Sequence, residues 1–476
     1  MKKHSVQILI SLIIISLLIT PVFVYGYTET GEGEATLLQE GNYDIESGAA
    51  ADYYTPLRAL TVSAETSTYN QLMAVSAQID LRSYNIPVDD IDAFYSNVIN
   101  DNPDLFFVSS SYQYNYYPST NCVAYIFPAY AMTSGEIAAA QEIFNAGKEK
   151  ALAQVDSSMD DLQKALVLHD YICSEGIYPV LEYNSNNELT NDEDIWHSAY
   201  GFFYNKVAVC AGFTLTYSYL LKQLGIDCEY VGSNDMGHAW NKVKIDGSWY
   251  NADLTFDNFD TASGVNTYGS VRHVHFLKSD DYFASESGSY HTGGVTYDSC
   301  DAVSTTYDSA FWDTVTSRFY VLNGNYYYLK PASNYYSVTL TKRTQAGAET
   351  TVGSAFSTAS LGYTSSGASF TDSLARLAYL DNRFYVVASR NIYSVLFSGT
   401  RYTITSVTNY CNGLGVNDDN NLFWQPYNDS TSVNVLDKLE YYNTYLTTTK
   451  GSNYNNYPDI NLDGVINAKD YALIIK

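Results

Sequence analysis

The sequence predicts an α+β chain of several domains, and three observations carry that expectation. Between Tyr54 and Tyr130, helix-spaced and strand-spaced apolar patterns follow one another. From Ser134 to about residue 303, helical patterns precede a hairpin signal. Beyond Ser304 the composition turns to Tyr, Thr, Ser and Asn, with recurring turn residues ahead of aromatic strands. At 476 residues the chain exceeds what one core usually serves. Its 46% hydrophobic and 16% charged residues suffice to bury such cores, so most of it is expected to be globular. The formal net charge of −27 repels phosphate backbones and argues against a nucleic-acid partner.

Each element follows in chain order. Lys2 and Lys3 precede an apolar run from Val6 to Ile19, and Val24 and Gly26 suit a cleavage site, so residues 1–26 read as a signal peptide. That run is shorter than the roughly 20 residues a membrane span needs. A secreted, extracellular protein with no membrane attachment after cleavage is expected. Residues 27–53 are acidic and rich in small residues, which reads as a solvated linker. An α+β domain follows over 54–133. Its helical spacing falls at Tyr69–Leu81 and in VDDIDAFYSNVIND, DNPDLFFV breaks the pattern, and YQYNYY and CVAYIF read as strands.

Residues 134–303 open with two amphipathic helices, Ser134–Gln154 and Asp160–Cys173, the second with Asp160 as its cap. His169 lies on the apolar stripe of that helix with Leu162, Ala165, Leu166 and Ile172, as a satisfied core histidine would. Over 304–445, YVLNGNYYYL, AYLDNRFYVV and VNDDNNLFWQ share one plan of turn followed by aromatic strand. Stacked hairpins of propeller-like or sandwich form are expected, their tyrosines explained by strand propensity. The six cysteines lack CxxC spacing, which indicates neither a zinc knuckle nor a redox motif, and export permits disulfides among them.

One stretch carries chemistry. In KVAVCAGFTLTYSYLLKQLG the residues after Cys210 are helical to Leu224, and Gly225 is a good C-terminal stop. Cys210 therefore stands at a helix N-terminus, where free backbone N–H groups and the helix dipole favour a thiolate. A nucleophilic cysteine needs a base and the base an orienting group. GHAWNKVKIDGSWYNADLTFD supplies both. Asp246-Gly247 signals a two-residue hairpin turn, which pairs Trp240 with Asp253 and His238 with Thr255. His238, Trp240 and Asp253 then share one face, with His238 and Asp253 diagonal neighbours. A slip of one residue would put them on opposite faces. His273 and His275, two apart, are a weaker candidate pair of metal ligands with no third ligand in sight, and Cys228 reads as a buried packing residue.

LHDYICSEGIY, VCAGFTLTYSYLLKQLGIDCEYV and GHAWNKVKIDGSWYNADLTFD, in this order over about Asp160–Asp281, resemble the transglutaminase-like superfamily. The resemblance implies a papain-like core of helices packed on an antiparallel sheet. It implies Cys210 as nucleophile, His238 as general base and Asp253 as orienter. Trp240 and Asn241 match the pattern after the histidine and are assigned to substrate binding. The implied reaction is acyl transfer through a thioester on a protein or peptide substrate. Hydrolysis would make the protein a peptidase. A lysine amine as acceptor would make it a cross-linking transglutaminase, and a silent copy would be a protein-binding module on a scaffold. The Cys210 N–H is one expected oxyanion donor, and Tyr204, Asn205 and Trp196 are candidates for the second.

The tail, DINLDGVINAKDYALIIK, spaces hard oxygen ligands as a calcium loop does. Asp459, Asn461 and Asp463 take positions one, three and five, Gly464 the sharp turn, and the Val465 carbonyl, Asn467 and Asp470 the rest. Asp470 stands where EF-hands carry glutamate. The segment resembles one repeat of a type I dockerin, the module that binds a cohesin on a cellulosome scaffold. The expectation is a linker over 446–458 and a partial dockerin over 459–476, with structural Ca²⁺ and no catalytic cofactor.

Overall fold

The computed structural model describes residues 39–42, 62–185, 189–233, 235–259, 268–285, 291, 300–365, 368–407, 409–427, 433–449 and 454–475. The signal segment and most of the acidic stretch lie outside them. Within that stretch, β1 (Gln39–Asn42) is not linker. It pairs antiparallel with β3 in a sheet of order β1-β3-β4-β2, where β2 is Ile79–Asp80, β3 Val108–Tyr117 and β4 Cys122–Tyr130. The helix expected at 69–81 runs earlier, as α1 (Val62–Met73), because Val75 turns to a φ of +52° and frees the chain for β2. Helix α2 (Ile91–Asp101) buries Phe94, Tyr95 and Val98 against the sheet. Phe106 then stacks between Phe144 at 5.1 Å and Tyr200 at 4.5 Å, joining this core to the next.

In the central domain, α3 (Ser134–Leu152) is capped by Thr133, which pairs reciprocally with Glu136, and α4 (Asp161–Glu175) by Asp160 with Gln163. A short α5 (Ala199–Asn205) leads to α6 (Cys210–Gln223), buried along Ala211–Leu221 as a helix apolar on every side must be. It packs on an antiparallel sheet of order β5-β6-β7-β8: Cys228–Ser233, His238–Ile245, Ser248–Ala252 and Phe276–Lys278. After β7 come two short helices, α7 (Leu254–Asp257) and α8 (Asp280–Ser285).

The C-terminal region is a series of up-and-down meanders. The first comprises β9 (Tyr320–Leu322), β10 (Asn325–Pro331), β11 (Ser337–Arg343) and β12 (Glu349–Thr351), with β13 (Phe356–Ser357) also on β11. A hairpin follows, β14 (Ser360–Ser365) with β15 (Ala368–Ser373). The second meander is β16 (Ala375–Leu380), β17 (Arg383–Ala388), β18 (Asn391–Val395) and β19 (Arg401–Ser406). The third is β20 (Cys411–Val416), β21 (Leu422–Pro426) and β22 (Asn434–Leu436). All three quoted hairpin segments fold as hairpins. Helices α9 (Lys438–Tyr445) and α10 (Ala468–Ile474) close the chain. Among the described residues no helix is long and apolar enough to cross a membrane, and the six cysteines form no disulfide.

The first meander is not a separate body. Trp312, Phe319, Tyr326 and Tyr328 share one hydrophobic core with α4 and α6. A buried polar network crosses the same seam. Asp170 Oδ1 accepts from His169 Nδ1 at 3.0 Å and His273 Nε2 at 2.9 Å, while its Oδ2 accepts from the Phe319 amide at 2.6 Å. His169 Nε2 lies 3.3 Å from Asp257, which also takes His275 Nδ1 at 3.1 Å. Burial opposes charge here, but the facing imidazoles hold both aspartates below the usual carboxylate range, and the Cys173 sulfur, then the Asp170 and Asp257 carboxylates, raise His169 well above the usual histidine range. Removing one member strands the others without partners. Asp170→Ala is expected to cost about 3–5 kcal/mol in urea unfolding at neutral pH, and a loss under 1 kcal/mol would show that the network is not what ties the seam.

Candidate active site and calcium-type loop

Helix α6 begins at Cys210 itself, so the thiol sits on its first turn and is half-buried. Two contacts set that turn. The Val209 amide donates to the Trp196 carbonyl at 3.0 Å. At Gly212 an added Cβ would lie 2.3 Å from the same carbonyl oxygen, so only glycine lets the helix start this close to the loop. The parallel bridge between Ile177 and Val207 brings Tyr178 alongside, with its hydroxyl against the Cys210 backbone N–H. Tyr178 was not foreseen beside Cys210. Of the three expected donors, Tyr204 is exposed and stacks on Tyr200, the Asn205 side chain accepts from the Val207 amide, and Trp196 contributes its carbonyl to the helix start.

The β6–β7 hairpin has the expected register. Ile245 pairs with Ser248 and Asn241 with Ala252, around a turn in which Asp246 and Gly247 have φ of +50° and +82°. The return strand stops at Ala252, before the expected pairing of Asp253 with Trp240. Asp253 instead caps α7, its Oδ1 accepting from the Phe256 amide at 3.0 Å. This leaves Oδ2 for His238, whose Nε2 lies 2.7 Å away. The Cys210 side chain lies close enough to the His238 imidazole to act on its charge. Phe256 stacks on the imidazole with centroids 4.8 Å apart and planes 16° from parallel. Burial alone would lower the His238 pKa, but the Asp253 carboxylate, then the Cys210 side chain, raise it to about 10. Asp253 is held far below the usual carboxylate range by the two imidazoles that face it, against its burial.

The second of those imidazoles is His291, whose Nε2 is 2.9 Å from the same Oδ2. Sequence reading missed it; no spacing signal links it to the hairpin, since the contact joins residues 38 apart. Trp240 and Asn241, expected to bind substrate, are instead buried scaffold. Trp240 Nε1 donates to Asn251 at 3.0 Å, and Asn241 Nδ2 donates to the Thr214 carbonyl at 3.1 Å, fastening β6 to α6. His273 and His275 precede β8 and face different aspartates, so they do not form a ligand pair. Two groups, His169–Asp170–His273 and His238–Asp253–His291, each gather ligand-type atoms within 4.8 Å. Their contacts are at hydrogen-bond distance, and we read both as hydrogen-bonded networks. Cys173 shows the contrast with Cys210: its thiol lies 3.4 Å from the Leu254 carbonyl and burial pushes it up to about 11, an inert core cysteine. Cys228 is likewise buried, as expected.

The tail folds as a ligand loop. Gly464 has φ +86° at the sharp turn, and its amide donates to Asp459 Oδ2 at 3.0 Å. Asp463 Oδ1 accepts from the Val465 amide at 3.0 Å, and Asp470 accepts from the Ile460 and Asn467 amides, each at 2.9 Å. Asp459 is fully buried, and its Oδ1 has no hydrogen-bond partner. A buried carboxylate oxygen left over in a loop of oxygen ligands fits a hard cation. Arg383 fastens the loop to β17 by donating to the Asn456 and Asp459 carbonyls.

A helix-borne cysteine facing a histidine–aspartate pair on an antiparallel sheet is the papain-like layout of thiol chemistry. The chain carries a transglutaminase-like core: residues 148–254 match the model of the transglutaminase-like superfamily, and 427–476 match that of the type I dockerin domain. A solved structure described as "Crystal structure of a TGase" is 16% identical, with a TM-score of 0.21 over 31% of this chain and 45% of its own. The chain thus spans less than half of that structure's length. No curated protein matches. Type I dockerin domains generally bind calcium and a cohesin partner. The dockerin match begins ahead of α9, a helix that sequence reading had left with the β-rich region. The available signal was a short repeat: Val433-Asn434-Val435-Leu436-Asp437 follows the same plan as Ile466-Asn467-Ala468-Lys469-Asp470. The two halves meet where the Ile466 amide donates to the Thr448 carbonyl and Tyr442 packs on Tyr471 at 5.4 Å.

The raised His238 pKa sets a pH dependence. Its folded value of about 10 lies above an unfolded value of roughly 6.5. The ion pair's contribution to stability is therefore complete below about pH 6.5 and disappears as pH rises through about 10. Turnover that needs the imidazolium as proton donor is expected to fall over the same alkaline range. A rate–pH profile whose alkaline limb lies near pH 7 would contradict the assigned geometry.

Proposed function

We propose that the protein is a secreted, cellulosome-associated acyl-transfer enzyme that acts on protein amide bonds through a Cys210 thioester, with hydrolysis the favoured outcome. The single observation that carries the reading is the 2.7 Å contact of His238 with Asp253, with the Cys210 side chain near enough to the same imidazole to act on its charge. In this reading the Cys210 thiolate attacks the carbonyl carbon, and the negative charge moves to its oxygen, near the Cys210 N–H. The C–N bond breaks as the His238 imidazolium protonates the leaving amine. His238 then takes a proton from water, whose oxygen adds to the thioester carbon; the C–S bond breaks, the acid is released, and the Cys210 thiolate and His238 imidazolium are restored. Asp253 keeps the imidazole oriented throughout. Water as acceptor gives a peptidase; a lysine amine gives cross-linking.

Cys210→Ala is expected to lower turnover of casein-type substrates by at least roughly 10³-fold. New N-termini would identify hydrolysis, and incorporation of a labelled primary amine would move the assignment to cross-linking. Undiminished turnover in the alanine variant would remove Cys210 from the chemistry altogether.

In the same reading, Asp459, Asn461, Asp463, the Val465 carbonyl, Asn467 and Asp470 hold Ca²⁺, and the 427–476 unit attaches the enzyme to a cohesin. The ion supplies positive charge that offsets the loop carboxylates and orders the turn. The buried Asp459 Oδ1 supports this assignment. Calcium titration by calorimetry should give one binding event that Asp459→Ala abolishes, with a rise in thermal midpoint on loading. Unchanged heat in the variant would place the ion elsewhere.

A further inference from the structure

His291 lies outside the three motifs, yet its side chain is completely buried and aimed at the catalytic-type carboxylate. Phe283 stacks on it with centroids 4.1 Å apart, and Trp240 meets it edge-on at 5.2 Å. These two rings hold the imidazole in place, so its contact with Asp253 is built rather than incidental. Asp253 thereby receives three donors from three parts of the chain: the Phe256 amide on Oδ1, and His238 and His291 on Oδ2. A carboxylate held only by its own α7 cap would remain free to swivel Oδ2 about that bond. The second imidazole restricts that freedom, because it holds the same oxygen at 2.9 Å from a separate part of the chain.

We propose that His291 is a positioning residue, which pins Asp253 Oδ2 and so fixes the His238 imidazolium that stabilises the Cys210 thiolate. The inference rests on the acyl-transfer reading. It makes the functional unit four residues in series, Cys210–His238–Asp253–His291, with the last acting only through Asp253. The titratable groups that face His238 are Asp253, Cys210 and His291, with Tyr178 beside Cys210, and His275 and Asp257 on the far side of Phe256.

Two polar substitutions separate positioning from mere packing. The amide nitrogen of His291→Gln reaches the place of Nε2, whereas His291→Asn is one methylene too short. The readout is the rate of Cys210 alkylation by iodoacetamide against pH, in the full chain. It needs no knowledge of the substrate. Outer partners of metal-bound histidines typically carry roughly 10–100-fold, and the low end of that scale is taken for His291. The Asn variant is therefore expected to lose about tenfold in rate at pH 6, with the acid limb moved to higher pH, and the Gln variant to stay within about threefold of the native protein. An Asn variant at the native rate, or a Gln variant that falls as far as Asn, overturns the role of His291. A native protein alkylated no faster than a model thiol overturns the acyl-transfer reading itself, and the inference with it.

Discussion

The contact on which the site depends is the charge-assisted bond between His238 and Asp253. Its two residues are 15 apart in sequence and belong to adjoining strands' ends, so everything rests on the register between β6 and β7. A two-residue turn fixes that register, because only residues able to take positive φ fit it, and Asp246 and Gly247 both do. One residue of slippage would reverse every side chain of β7 relative to β6 and turn the carboxylate away. The buried Trp240–Asn251 bond ties β6 to β7 on one face, and the Asn241–Thr214 bond fastens β6 to α6 on the other. Trp240 and Asn241, which match the motif, thus hold the strand from within the core.

Behind this hairpin the interior is unusually polar for a core. Four buried histidines (His169, His273, His275 and His291) and three aspartates (Asp170, Asp253 and Asp257) are interleaved with Phe256, Phe276, Phe283 and Phe319. Asp253 and Asp257 stand one helical turn apart, and α7 is little more than the spacer between them. One carboxylate organises the site and the other the seam with α4. The two are joined by the backbone bond from the Asp253 amide to the His275 carbonyl. Buried charges of this kind rarely add net stability, but each demands its own partner, so they restrict the packing to one arrangement. The active-type geometry and the junction with the first C-terminal meander are thus consequences of the same constraint.

The C-terminal end follows another logic. Its calcium-type loop does not hang from a tether. Arg383, buried on β17, donates to two of its carbonyls, and the Tyr457 hydroxyl bridges the Leu422 amide and the Leu436 carbonyl. The loop is thereby fastened to the third meander as well as to α9. A cation bound there would act on a surface that already belongs to the β-rich region.

Much was legible from the residues alone because it is local. The Cys210 helix start, the Asp246-Gly247 turn, the Asp160 cap, the three later hairpins and the ligand loop are all written within a few residues, where backbone preference and side-chain period act directly. The helix expected at Tyr69–Leu81 was misplaced because the positive φ of Val75 is a conformation its side chain does not advertise. The β1 edge strand was missed because pairing to β3 gives an acidic segment a backbone partner that composition cannot reveal. His291, Tyr178 and the Asp170 network were equally hidden, since each depends on where distant segments are laid against one another. Sequence by itself determined the local geometry at Cys210 and around the Asp246-Gly247 turn. Only the tertiary structure decided which of seven histidines share a carboxylate, because a hydrogen bond is specified by distances of a few tenths of an ångström between atoms that the chain brings together from far apart.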